Sequence, residues 1–165
     1  MSNNGEYFLP KEVNDIFVKI TEYPHCSGNE GPVEKNVVKK FVDEYNSAFP
    51  KRPIEIVHYD PDASEPGQRV MVLRKAGAPG NENKKKMVLQ GHMDMVCVPN
   101  GNIFPIKLNK FKDPQLGVEM LKGGESNEKN GTTLGADDGI GIATALAIMT
   151  DPDEQNQMGP LECLF

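Results

Sequence analysis

The sequence predicts an α/β unit, three-layered, with a mixed, partly parallel sheet. Three observations lead there. Apolar residues first recur at helical spacing, then gather in short β-rich runs broken by proline and glycine, then return to a helix lying between two further strands. The resulting order is helix, helix, strand, strand, strand, a further strand, helix, strand.

From Leu9 to Thr21, Val13, Ile16, Phe17 and Ile20 follow the i, i+3, i+4, i+7 pattern of an amphipathic helix, and Pro24 ends it. Ser27 and Glu30 have capping-box spacing, but that start would put Pro32 too deep in the helix. Asn29 is the better cap, because Pro32 then falls in the first turn, where its missing N–H costs little. This second helix runs to about Tyr45 with Val33, Val37, Phe41 and Val42 inward. Ile54 to Tyr59 and Arg69 to Arg74 read as strands, with a turn at Pro61, Pro66 and Gly67 between them. Ala76 to Asn83 is a polar Gly/Pro loop, and Lys84-Lys85-Lys86 a solvated loop and strand edge. Met87-Val88-Leu89-Gln90-Gly91 reads as a short buried strand ending in glycine.

Asn100 to Asn130 is irregular except for a strand over Gly117 to Lys122, and Gly123 to Gly131 is an exposed turn. Ile140 to Met149 is nearly all small and apolar, as a buried helix requires. Asp151-Pro152-Asp153 has the opening of a calcium loop without its glycine or terminal glutamate, and is read as a helix-ending turn. Gly159 to Glu162 begins the last strand.

The chain has 165 residues, 38% hydrophobic and 25% charged, as one domain with a moderate core would. No repeat, low-complexity tail or linker divides it. A net charge of −6 argues against a nucleic-acid surface. Met1 to Glu6 is no signal peptide, and no apolar run reaches membrane-spanning length. Cys26, Cys97 and Cys163 are far apart, odd in number and without a C-x-x-C pair, which predicts reduced thiols in a cytoplasmic protein, with Cys97 a buried structural thiol. His25 falls in a turn and His58 on the first strand, both read as surface or hydrogen-bonded structure.

Two segments carry candidate chemistry. His92 and Asp94 emerge on the same side of the chain at the carboxyl end of the Met87 strand, where open α/β sheets place their ligands. An imidazole ligand steadied by a neighbouring carboxylate needs that spacing, although an ordinary surface pair has it too. Gly131 to Gly141 sets Asp137 and Asp138 among glycines just before the buried helix. One of them caps that helix on the simplest reading. Two carboxylates exceed what a cap needs, and a divalent cation accounts for the second.

Together, Leu89-Gln90-Gly91-His92-Met93-Asp94-Met95-Val96, Gly131 to Gly141 and Gly159-Pro160-Leu161-Glu162 resemble the co-catalytic zinc exopeptidases of the aminoacyl-histidine dipeptidase type. Weaker similarity reaches back to Asp15-Ile16-Phe17, so the resemblance covers nearly the whole chain. It implies His92 as a zinc ligand, Asp94 as the catalytic-site carboxylate that fixes the His92 tautomer, and Asp137 as the carboxylate bridging two metals, with a cis peptide bond after it. It implies two zinc ions per complete site, manganese or cobalt being alternatives, and a dipeptide as substrate.

The same resemblance implies that residues 1–165 are the amino-terminal half of a catalytic domain, incomplete, with the lid and dimerisation domain absent. Two of five protein ligands would be present, and the two adjacent glutamates, one of them the general base, would be missing. The expectation is negligible peptidase activity from this chain alone, since general-base help is worth about 10²–10⁴-fold. Two other readings stay open: a non-catalytic homologue acting as a binding or regulatory subunit, and a partial reading of a longer gene. An unpaired sheet edge is expected to favour self-association into oligomers.

Overall fold

The computed structural model describes residues 9–59, 69–98, 103–124, 132–152 and 158–165. The expected turn at Pro61, Pro66 and Gly67 lies outside them, as do Met1 to Glu6, Asn100, Gly131 and Asp153. Helix α1 (Lys11–Thr21) buries the stripe Val13, Ile16, Phe17 and Ile20, with Glu12 in its first turn and Lys19 in its last, each favourable to the helix dipole.

The second helix is continuous in three pieces: α2 (Gly31–Val33), a π-helical turn (Glu34–Val38) and α3 (Lys39–Ala48). Pro32 sits in its first turn as expected, but the capping position is Glu30 rather than Asn29, with no side-chain cap. Asn29 instead closes a turn by donating its N–H to Cys26 O at 2.7 Å, and the Glu30 carboxylate accepts the Gly28 N–H at 2.5 Å. The wider π turn changes which residues face inward, so Val38 and Tyr45 enter the core while Phe41 is only partly buried.

Strands β1 (Ile54–Tyr59), β2 (Met71–Lys75), β3 (Met87–Gln90) and β6 (Leu161–Leu164) form one sheet in the order β1-β2-β6-β3. β1 and β2 pair antiparallel, as do β2 and β6, while β3 runs parallel to β6, so the sheet is mixed and partly parallel as expected. Ile54, Met71, Leu73, Leu161 and Cys163 face the helices and form one core with α1, α3 and α4 (Ala136–Met149). Val57, Arg74 and Val88 on the other face are exposed, so the described residues build two of the three expected layers.

Two strand readings need correction. The β3 run was expected to be buried, but β3 is an edge strand and Val88 is 55% exposed. Apolar content does not tell an edge strand from a central one. Strand β4 (Leu108–Lys112) fell in the stretch read as irregular; it pairs antiparallel with β5 (Glu119–Gly123), Asn109 opposite Lys122 and Phe111 opposite Met120. Its own residues are too polar to announce a strand, and cross-strand pairing supplies the stability. Asp113 makes the connecting turn by accepting the N–H groups of Gln115 and Leu116. Among the described residues no helix is long and apolar enough to cross a membrane.

Lys75 points into the core. Its ammonium donates to Met149 O at 2.7 Å and Asp151 O at 3.3 Å, satisfying carbonyls at the end of α4, and lies 4.2 Å from the centre of the Tyr45 ring. Burial first, and the positive charge of Arg52 second, pull its pKa from 10.5 to about 8, against the opposing charge of Asp151. Between those values the unfolded lysine keeps a proton that the folded one has released. The unfolding free energy should therefore rise with pH across this window, by on the order of 2–3 kcal/mol from this residue. Urea unfolding of the wild type and of Lys75→Met from neutral to alkaline pH checks this. The same rise in both proteins would refute it.

Candidate metal centre

The site forms where the end of β3 meets the start of α4. The Gly91 N–H donates to Leu164 O at 3.1 Å, extending the β3–β6 ladder by one residue before the chain turns away. A Cβ on Gly91 would stand 2.6 Å from the Asp138 carboxylate, so the glycine leaves that carboxylate its place beside the end of β3. On one segment the next residue is His92; on the other, the residue before Asp138 is Asp137.

The His92 ring is held at both nitrogens. Nδ1 lies 2.9 Å from Asp94 O and 3.2 Å from Asp94 Oδ1, and Nε2 lies 3.1 Å from Asp137 Oδ1. A carbonyl oxygen can only accept, so Nδ1 carries a proton; in the hydrogen bond to the Asp137 carboxylate Nε2 carries one too, and a cation entering there would take the place of that second proton. Burial works to lower the His92 pKa, but the hydrogen bonds to Asp94 and Asp137 and the charges of both carboxylates outweigh it and raise the value. The His92 side chain is 54% exposed and that of Asp137 96% exposed, open to an entering ion.

Two donors about 2 Å from one zinc stand roughly 3–3.5 Å apart, so a nitrogen and a carboxylate oxygen at 3.1 Å fit a shared divalent cation. Among the described residues no three such donors gather; these two form a pair.

Asp137 has extended backbone (φ −97°, ψ 108°), and the peptide bond between it and Asp138 is cis, as the resemblance implied. The expectation that one of the pair caps the helix is not met: the capping position is Gly135, with no side-chain cap. The Asp138 carboxylate packs beside Gly91 and Gly141, and Asp137 faces His92. Of the other histidines, His25 is buried, with Nδ1 2.7 Å from Tyr23 O, and His58 lies on β1. Ser27, Gly28, Glu30 and Arg69 join His92 and Asp94 in lining an open cavity of ≈ 350 Å³.

The thiol expectation is overturned. Cys26 and Cys97 form a disulfide with Cα atoms 5.5 Å apart across 71 residues. Cys26 bridges Met95 in parallel fashion, which brings the two cysteines together, and linear spacing carries no sign of that. Cys163 alone keeps a thiol, buried and pushed up to about 12 by desolvation. The bond also lies beside a contact not foreseen from the sequence: Ser27 Oγ donates to Asp94 Oδ2.

No family model matches the chain. It is 36% identical over 157 residues, 94% of its length, to the cytosol non-specific dipeptidase of Escherichia coli (strain K12). A solved structure, the aminoacylhistidine dipeptidase from Vibrio alginolyticus, superposes on 94% of the chain with a TM-score of 0.58 and 26% identity. The chain is homologous to these dipeptidases. It spans 27% of the length of each.

Proposed function

We propose that the protein is a zinc metallopeptidase of the aminoacyl-histidine dipeptidase type, acting on Xaa-His and other dipeptides in the cytoplasm, with residues 1–165 forming part of its catalytic domain. The observation that carries this reading is the approach of His92 Nε2 to Asp137 Oδ1 at 3.1 Å, beyond the carboxyl end of a partly parallel sheet. Homology to proteins named as dipeptidases supports the substrate class, and the word cytosol in one of those names supports the compartment. Cysteine usage no longer does.

Zinc, or manganese or cobalt in its place, supplies Lewis-acid polarisation of the scissile carbonyl and lowers the pKa of water. His92 offers Nε2, Asp137 offers Oδ1, and Asp94 holds the proton on His92 Nδ1 so that the lone pair faces outward. Two donors are fewer than the three or four of an ordinary zinc site. The 165 residues alone are therefore proposed to hold metal weakly and to hydrolyse dipeptides negligibly. A second reading, a binding or regulatory subunit, is favoured by the exposed β3 edge and by Val57 and Val88 on the open sheet face.

Titration of the chain with Co²⁺, followed by calorimetry and absorption, tests the ligand assignment. His92→Ala and Asp137→Asn are each expected to weaken binding about 100-fold or more, since even partners behind a ligand cost 10–100-fold. Undiminished binding in His92→Ala would remove the site. Carnosine hydrolysis with added zinc, lost in His92→Ala, would exclude the subunit reading and the expected inactivity together.

A further inference from the structure

The geometry points to Ser27 as a positioning residue of this centre, acting on His92 through Asp94; the inference rests on His92 and Asp137 being metal ligands. The Ser27 hydroxyl donates to Asp94 Oδ2, while Oδ1 of the same carboxylate faces His92 Nδ1 at 3.2 Å. The terminal torsion of an aspartate is broad and nearly two-fold, so a carboxylate without a fixed partner turns readily about its Cβ–Cγ bond. A hydroxyl on one oxygen selects the rotation that keeps the other against the imidazole. The polar chain then runs Ser27 to Asp94 to His92 to Asp137 without a break.

Ser27 is itself mounted on the segment that carries Asp94. Its N–H donates to Met95 O at 3.2 Å, the Met95 N–H donates to His25 O at 2.9 Å, and Cys26 is covalently joined to Cys97. The same mount reaches the second donor. The His25 ring is 1% exposed and lies beneath Gly135, two residues before Asp137, with Nε2 2.9 Å from where a Gly135 Cβ would stand. That nitrogen has no hydrogen-bond partner among the described residues. It serves as packing, and the phenyl ring of Phe104, centred 5.7 Å away, flanks it. The segment His25-Cys26-Ser27 thus touches both donor-bearing stretches, and Ser27 is its polar contact with the first.

The test compares wild type, Ser27→Ala, Ser27→Thr and His92→Ala in the full chain. The readouts are the ¹⁵N imidazole spectrum of His92 without metal, at a pH above its titration, the Co²⁺ affinity, and the melting temperature. Ser27→Ala should shift the His92 Nδ1 resonance, because the carboxylate is freed while the Asp94 carbonyl still holds the proton, and weaken Co²⁺ binding by roughly 3–10-fold, less than loss of the Asp94 carboxylate itself would. Melting should stay unchanged, and Ser27→Thr, which restores the hydroxyl, should restore the spectrum and the affinity. A Ser27→Ala spectrum and affinity identical to wild type, with His92→Ala still abolishing Co²⁺ binding, would overturn the role of Ser27 and leave the metal site standing. Co²⁺ binding that survives in His92→Ala would instead remove the ligand assignment, and the imidazole spectrum of the Ser27 variants, which needs no metal, would still decide whether Ser27 acts on His92.

Discussion

Reduction of the Cys26–Cys97 bond, or Cys97→Ser, is expected to lower the unfolding free energy by about 4 kcal/mol. The bond closes a loop across 71 residues, and cross-linking a loop of that length removes about this much conformational freedom from the unfolded chain. For a domain of this size the melting temperature should fall by roughly 10 °C. Thermal unfolding with and without a thiol reductant measures it, with thiol counting to show that the bond has opened. The buried Cys163, its pKa pushed up to about 12, supplies almost no thiolate at neutral pH and should not exchange with the pair. An unchanged midpoint after complete reduction would mean that the bond constrains nothing. Disulfides are rare in a reducing cytosol, so the proposed compartment implies that the dithiol form, with a looser mount for Ser27, is the one present there.

Gly135→Ala should be strongly damaging, at about 2–5 kcal/mol. Gly135 has φ +72°, a left-handed backbone that costs an L residue roughly 1–2 kcal/mol. The new Cβ would also stand 2.7 Å from Met95 Sδ and 2.9 Å from His25 Nε2. Neither neighbour has room to yield, since Met95 and His25 are both buried, and overpacking of that kind costs typically 1–3 kcal/mol. The displacement falls two residues before Asp137, so Co²⁺ affinity should drop along with stability. Gly80, also with positive φ but with nothing within 4 Å of its would-be Cβ, isolates the backbone contribution: Gly80→Ala should cost only about 1–2 kcal/mol. Urea unfolding of the two variants decides this. Equal losses in both would show that His25 and Met95 do not press on Gly135.

The helices were legible from the chain because their information is local. The spacing of Val13, Ile16, Phe17 and Ile20 marks one face of α1, and Pro32 marks the first turn of the next helix whatever lies around them. The alternation of Met71, Leu73 and Lys75 with Val72 and Arg74 in burial likewise follows from pleating. Strand β4 was not legible, since Asn109, Lys110 and Lys112 become a strand only by pairing with β5. The edge position of β3 was hidden for a related reason: its order beside β6 depends on residues more than seventy positions away.

By itself, then, the sequence determined the α/β class, the buried face of α1, and which segments bear the imidazole and the carboxylates, because periodicity and residue chemistry act over a few neighbouring positions. Only the tertiary structure decided that Asp137 rather than Asp138 faces His92, that Cys26 joins Cys97, and that Ser27 reaches Asp94. Those contacts join residues 45 to 71 positions apart. They exist because the missing side chain at Gly91 leaves room for the Asp138 carboxylate, and that at Gly135 for His25 and Met95, and linear spacing does not encode such an approach.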